Sequence, residues 1–155
     1  MVRLSDLPEY EREHLLDKNM QPLGPTPWVA PGKPLSSRRV ALITTAGLHR
    51  RSDTAFSMTD SSYRIIPGDL GGDDLVMSHS SVNFDRSGFQ EDVNLVFPID
   101  RFRELTAERV IGSLSSNHFS FMGAGLPPEA YAEPVRNLAR LLHRDQVDTV
   151  FLTPV

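Results

Sequence analysis

The sequence contains no cysteine and no long apolar run, and both absences restrict its function. The 155 residues carry no thiol, which excludes disulfide bonds, thiolate metal ligands and a cysteine nucleophile within them. No apolar stretch approaches the roughly 20 residues of a membrane-spanning helix. The first 19 residues are rich in charged side chains and lack the apolar core of a secretory signal. These features predict a cytoplasmic protein with no membrane partner.

Clustered positive charge is also scarce. The chain has 16 Lys and Arg against 20 Asp and Glu, so its formal net charge is −4. Proteins that bind nucleic acid nonspecifically need grouped basic side chains for the phosphates, so no nucleic-acid partner is expected. Dinucleotide, P-loop and Gly-x-Ser-x-Gly motifs are absent. The composition, 39% hydrophobic and 23% charged, is that of an ordinary globular domain.

Three apolar segments are each followed by a histidine. The segments are residues 40–43, 75–77 and 110–114, and the histidines are His49, His79 and His118. Gly47 lies between the first segment and its histidine, where a turn needs a positive φ or a close backbone approach. Ligands of open parallel α/β sheets bind outside the carboxyl ends of the strands. The pattern therefore predicts one site at that edge of a sheet.

The three histidines support two chemical interpretations. Neutral imidazole is the commonest metal ligand in proteins, and three-histidine sites are catalytic in zinc enzymes. The sequence has no His-x-His or His-Glu-x-x-His spacing, so we predict no metal and expect the rings to hydrogen-bond a substrate or the backbone. Asp92 and Asn94 either line the same edge or cap local backbone groups. Arg101 is expected on the polar side of a helix, beside Glu104.

Strand and helix patterns alternate along the chain. Strands are predicted at residues 40–43, 63–66, 75–77, 110–114 and 148–153, and helices at residues 7–19, from Pro98, and from Pro128 or Pro134. The alternation predicts an α/β fold with a three-layer, largely parallel sheet, Rossmann-like or flavodoxin-like. The last strand is predicted to be buried.

An extended arm is predicted to precede this domain. Residues 22–34 hold five of the 12 prolines and the only tryptophan, Trp28. Such a segment cannot pair centrally in a sheet, and the indole is expected to pack against another surface. We therefore divide the chain into residues 1–36, a helix and the Pro-rich arm, and residues 37–155, the α/β domain.

Five blocks from residue 40 onward occur in an order that resembles the selenoprotein B family of glycine, sarcosine, betaine and D-proline reductases. The blocks are VALITTAGLH, DSSYRIIPGD, VMSHSS, DVNLVFPIDRFREL and HFSFMG. The resemblance implies an α/β domain and reductive cleavage of a C–N bond in a small amino acid or betaine. In such reductases a selenolate performs the substitution and a neighbouring cysteine helps release product. A pyruvoyl group, where used, belongs to a separate partner subunit.

The resemblance also implies which residues build the pocket. The matching residues are His49, His79, Asp92, Asn94, Asp100, Arg101 and His118. In the family the last strand leads into a selenocysteine or cysteine. The resemblance therefore implies that this chain is C-terminally truncated. We expect it to have no catalytic residue or cofactor of its own and to be inactive as a reductase. A homo-oligomer is expected. Two alternatives stay open: a non-catalytic small-molecule-binding or scaffold protein, and a three-histidine metal-dependent enzyme.

Overall fold

The computed structural model describes residues 3–17, 24–25, 28–30, 32–81, 86–123 and 125–155, in two compact units. The first unit, Met1–Pro31, contains helix α1 (Glu9–Leu16), whose first turn carries two glutamates, where negative charge favours the helix dipole. The predicted arm, residues 22–34, falls in part outside the described residues. Trp28 is 89% exposed, so its predicted burial is not observed.

The second unit, Gly32–Val155, has a mixed α/β fold. Its elements are β1 (Arg39–Thr44), β2 (Leu48–Arg50), β3 (Arg64–Pro67), β4 (Leu75–Met77), α2 (Ser87–Glu91), α3 (Ile99–Ala107), β5 (Ser113–Leu114), β6 (Asn117–Ser120), α4 (Ala132–Arg144) and β7 (Thr149–Thr153). β1 pairs in parallel with β5, β6 and β7, β3 is antiparallel to β6, and β2 and β4 form a separate antiparallel pair. No helix in the described part of the chain has the length and apolarity to cross a membrane.

The two longest helices of this unit cover opposite faces of the sheet. Neighbouring residues of a strand point to opposite faces, and Leu42 and Ile43 of β1 do so. Leu42 packs in one cluster with Ile99 of α3, whereas Ile43 packs in another with Phe119 and Leu138, the latter in α4. The apolar residues of β1 are therefore buried from both sides, as the unbroken apolar run predicted.

Three strand predictions need correction. The strand predicted at residues 110–114 is reduced to β5, Ser113–Leu114. No strand was predicted at residues 117–120, but β6 forms there, because its sequence, Asn-His-Phe-Ser, holds one apolar residue and no apolar run. The strand at residues 148–153 was predicted to be buried, yet Leu152 is 66% exposed. Within the described residues β7 pairs only with β1, so it is an edge strand, and its residues are exposed or half-buried.

His118 fills a gap in the central ladder. Along one edge of β1, the carbonyl of Val40 accepts from Ser115 N–H and that of Thr44 accepts from Phe121 N–H. Leu42 lies between these two points, where β5 has ended and β6 has not yet begun to pair. Its N–H donates instead to Nδ1 of His118 at 3.0 Å. The imidazole thus replaces a backbone acceptor that the interrupted partner strand cannot supply.

The same contact fixes the state of the His118 ring. The residue is fully buried, and its burial, with a smaller contribution from the positive charge of Arg103, lowers the pKa of His118 to about 4. An Nδ1 that accepts a hydrogen bond has no proton, so the neutral ring carries its proton on Nε2. Protonation of Nδ1 would break the bond to Leu42.

This burial predicts a loss of stability in acid. An unfolded histidine titrates near 6.5, whereas folded His118 titrates near 4, so between these pH values the unfolded chain binds a proton that the folded chain does not. The stability that this group contributes is complete above pH 6.5 and falls with the pH, by a total of about 3 kcal/mol near pH 4. Urea unfolding measured from pH 7.5 to pH 4 gives the free energy of unfolding directly.

Two variants isolate the contribution of His118. His118→Phe fills the space without a titrating group, so this part of the pH dependence disappears, while the unsatisfied Leu42 N–H lowers stability at pH 7.5. His143→Gln changes an exposed histidine of α4 and retains the wild-type pH dependence. If wild type and His118→Phe lost stability in parallel as the pH falls, His118 would not be the cause of the loss in acid.

Candidate functional site

Gly47 joins the carboxyl end of β1 to the ends of β4 and β6. Its N–H donates to the carbonyl of Phe121 at 2.8 Å, and its own carbonyl accepts from Ser78 N–H at 2.9 Å. Gly47 has a φ of +67°, and a Cβ there would lie 3.0 Å from the backbone nitrogen of His79. The positive φ and the close approach of the His79 backbone each require glycine at residue 47. The prediction of a glycine turn after the first strand is therefore confirmed. The ends of three strands therefore meet around one residue.

His49 and Ser78 form a hydrogen-bonded pair beside Gly47. His49 lies in β2 and is 4% exposed. Its Nδ1 is 2.8 Å from the carbonyl oxygen of Arg50 and its Nε2 is 2.7 Å from Oγ of Ser78. A carbonyl can only accept, so Nδ1 carries the proton, and Nε2 of the neutral ring accepts from the Ser78 hydroxyl. Sequence reasoning missed Ser78, although it stands directly between a predicted strand and His79.

His79 lies in the same part of the molecule as this pair. The residue is 5% exposed, and its Nδ1 accepts from Ser81 N–H at 3.2 Å. Burial, followed by the positive charge of Arg86, lowers the pKa of His79, so the neutral ring is favoured. The close approach of Gly47 to the His79 backbone fixes its position relative to β1. Two of the three predicted histidines therefore lie beside Gly47, His49 through its bond to Ser78 and His79 through its backbone.

Arg64 holds the segment before β3 against His49. Its guanidinium lies 4.2 Å from the centre of the Phe56 ring, and Phe56 meets the His49 ring edge-on at 6.2 Å between centroids. The same guanidinium donates to the Thr54 carbonyl and to the Asp60 carboxylate, both at 2.8 Å. One side chain thus organises a polar, irregular stretch in which the sequence showed no regular element.

Asp92 and Asn94 build the start of α3. Asn94 donates to Asp92 from its backbone and its side chain, both at 2.9 Å, and these bonds lower the pKa of Asp92. The Asn94 amide also accepts from Asp100 N–H and donates to its carboxylate, each at 3.0 Å. The described residues around the adjoining groove of about 550 Å³ include Arg51 and Asp73 but no histidine. The structure therefore places Asp92 and Asn94 on a different surface feature from His49.

Arg101 and His118 lie elsewhere. Arg101 pairs with Glu104 at 3.0 Å on the exposed side of α3, the surface pair that helical spacing predicted, and His118 lies inside the sheet beneath Leu42. Among the described residues, which include all three predicted histidines, no group of three or more His, Asp or Glu side chains is placed to hold a metal ion. The three-histidine metal enzyme thus finds no support in this geometry.

The contacts of Arg64 predict a stability cost for a conservative change. Arg64→Lys keeps the charge but loses the planar fork that reaches several acceptors at once, and Asp60, only 18% exposed at its side chain, loses its 2.8 Å partner. We expect the free energy of unfolding to fall by roughly 1–3 kcal/mol and the NMR signals of the His49 ring to shift. Denaturant unfolding and imidazole spectra measure the two effects.

Arg101→Lys is the matched control. Its ion pair with Glu104 is solvent-exposed, and such pairs contribute little, so stability should change by less than about 0.5 kcal/mol. Equal effects of the two substitutions would show that Arg64 does not hold the segment against His49.

Comparison with known proteins gives the chain a family. The model of the family "Glycine/sarcosine/betaine reductase selenoprotein B (GRDB)" matches residues 8–155. No solved structure matches. The D-proline reductase subunit gamma of Acetoanaerobium sticklandii is 37% identical over 135 residues, which is 85% of this chain and 55% of that protein.

Two further relatives are subunits of related complexes. The glycine reductase complex component B subunit gamma of Symbiobacterium thermophilum is 33% identical over 79% of this chain and 30% of its own length. The sarcosine reductase complex component B subunit beta of Peptoclostridium acidaminophilum is 32% identical over 78% of this chain and 29% of its own. The chain spans about half the length of the first relative and under a third of the others. The family model matches nearly all residues of the chain, in agreement with the ordered sequence blocks and the joined strand ends. The chain therefore belongs to the selenoprotein B family of glycine, sarcosine and betaine reductases.

Proposed function

We propose that this chain forms the substrate-binding wall of a subunit in a reductase complex that cleaves a C–N bond in a small amino acid or betaine. The family match over residues 8–155 carries the proposal. The relatives are named for D-proline, glycine and sarcosine reductases, and these three compounds, with betaine, are the substrates that we propose for testing.

The substrate wall in this proposal lies where β1, β4 and β6 end. The proposed wall comprises His79 and His49, the latter acting through its bond to the Ser78 hydroxyl, and Gly47 fixes the backbone between them. Asp92, Asn94 and Arg101, which the family resemblance implies as further substrate contacts, lie on the α3 side apart from this wall, and the proposal does not depend on them. His118 enters as the support beneath the wall, through its bond to Leu42.

The proposal assigns the redox step to groups outside these residues. The 155 residues contain no thiol, so the selenolate or thiolate must come from elsewhere in the assembly. A pyruvoyl-type partner subunit and a homo-oligomer belong to the same proposal.

Helices α3 and α4 on opposite faces of the sheet support a finer assignment of the fold as three-layer and Rossmann-like or flavodoxin-like.

A binding experiment tests the site. We expect D-proline, glycine, sarcosine or betaine, titrated into the isotopically labelled chain, to shift the NMR signals of Gly47, His49 and His79 in a saturable manner. Glycerol at the same concentrations is the control for a bulk solvent effect. No saturable shift with any of the four compounds, or shifts confined to α1, would contradict the proposed site.

An activity measurement tests whether the redox group is supplied from outside these residues. Incubated alone with dithiothreitol and each of the four compounds, the chain should form no product of C–N cleavage, because it contains no nucleophile for the step. Product formation by the isolated chain at a rate above that of the heat-denatured control would contradict the proposal that the redox group is supplied from outside.

A further inference from the structure

The hydroxyl of Ser78 has a fixed hydrogen-bond polarity. The carbonyl of Arg50 keeps the proton of the neutral His49 ring on Nδ1, at 2.8 Å, so Nε2 presents a lone pair to Ser78 Oγ at 2.7 Å. A serine hydroxyl has one proton and two acceptor positions. Since the proton is used by His49, the oxygen of Ser78 can serve a further partner only as an acceptor.

The surroundings hold Ser78 in this arrangement. Its backbone N–H donates to the Gly47 carbonyl at 2.9 Å, and Phe56 packs edge-on against the His49 ring. Ser78 is half-buried rather than enclosed, and recognition of a ligand by this residue requires that the ligand reach its Oγ. Within the described part of the chain, its Oγ makes one hydrogen bond, the one to His49.

We propose that Ser78 recognises the substrate by accepting a hydrogen bond from its ammonium N–H, with His49 as the positioning residue that sets the polarity of the hydroxyl. The inference rests on the proposed function and adds a selectivity to it. An ammonium group only donates, so it complements a hydroxyl restricted to accepting. A ligand that offers an acceptor at the same point would face the lone pairs of Ser78 and gain nothing.

The selectivity depends on the number of N–H groups in the ligand. At neutral pH glycine, sarcosine and D-proline each carry at least two ammonium N–H groups, whereas the trimethylammonium group of betaine carries none. Ser78 therefore contributes to the binding of the first three compounds and not to that of betaine.

The experiment compares the dissociation constants of the four compounds for the wild-type chain and for Ser78→Ala, measured by NMR titration. Ser78→Ala should weaken glycine, sarcosine and D-proline about tenfold or more, the scale of a hydrogen bond to a charged group. Betaine should change less than twofold. Ser78→Thr keeps the hydroxyl and should restore most of the affinity, while Ser36→Ala, an exposed serine at the opposite end of β1, should change nothing.

Each result decides a separate question. If the wild-type chain binds none of the four compounds, the proposed function of the site fails. If it binds them but Ser78→Ala weakens betaine as much as glycine, or weakens neither, the role of Ser78 is overturned. Binding of betaine alone overturns it as well. The backbone amide signals of Leu42 and Phe121 in Ser78→Ala, compared with those of the wild type, show whether the variant keeps the fold.

Discussion

The hydrogen bond from Leu42 N–H to Nδ1 of His118 is the contact on which this architecture depends. β1 must be paired along both edges to lie in the middle of the sheet, but its partner on one side is divided between β5 and β6. The imidazole satisfies the amide at the division, where a buried unpaired N–H would cost roughly 1–3 kcal/mol. Two short strands can therefore serve as one neighbour of β1.

This arrangement brings the chemistry to the end of β1. Because β6 reaches the end of β1, Phe121 can accept from Gly47, and Gly47 in turn accepts from Ser78. The small β2–β4 sheet is thereby attached to the larger one, with His49 and Ser78 facing each other across it. A histidine inside the sheet and a histidine at its edge thus have different roles: the first completes the ladder, and the second orients a hydroxyl.

The sequence predicted the parts of this account that depend on local pattern. The apolar run of β1, the strand before Ser78, the helix after Pro98 and the need for glycine at residue 47 all followed from residue types and spacing. It did not predict the roles that depend on long-range contacts. Nothing local distinguishes His118, which bonds an amide 76 positions away, from His49, so all three histidines received one role. Ser78 was missed because its importance lies in its contact with His49, 29 positions earlier.

The most direct test is the tautomeric state of these two rings in one spectrum. Long-range ¹H–¹⁵N correlation at a pH where both imidazoles are neutral shows which nitrogen of each ring carries the proton. The account predicts opposite tautomers: His118 protonated on Nε2, with Nδ1 accepting from Leu42, and His49 protonated on Nδ1, with Nε2 accepting from Ser78. The same tautomer in both rings, or a rapid average of the two forms in either, would contradict it.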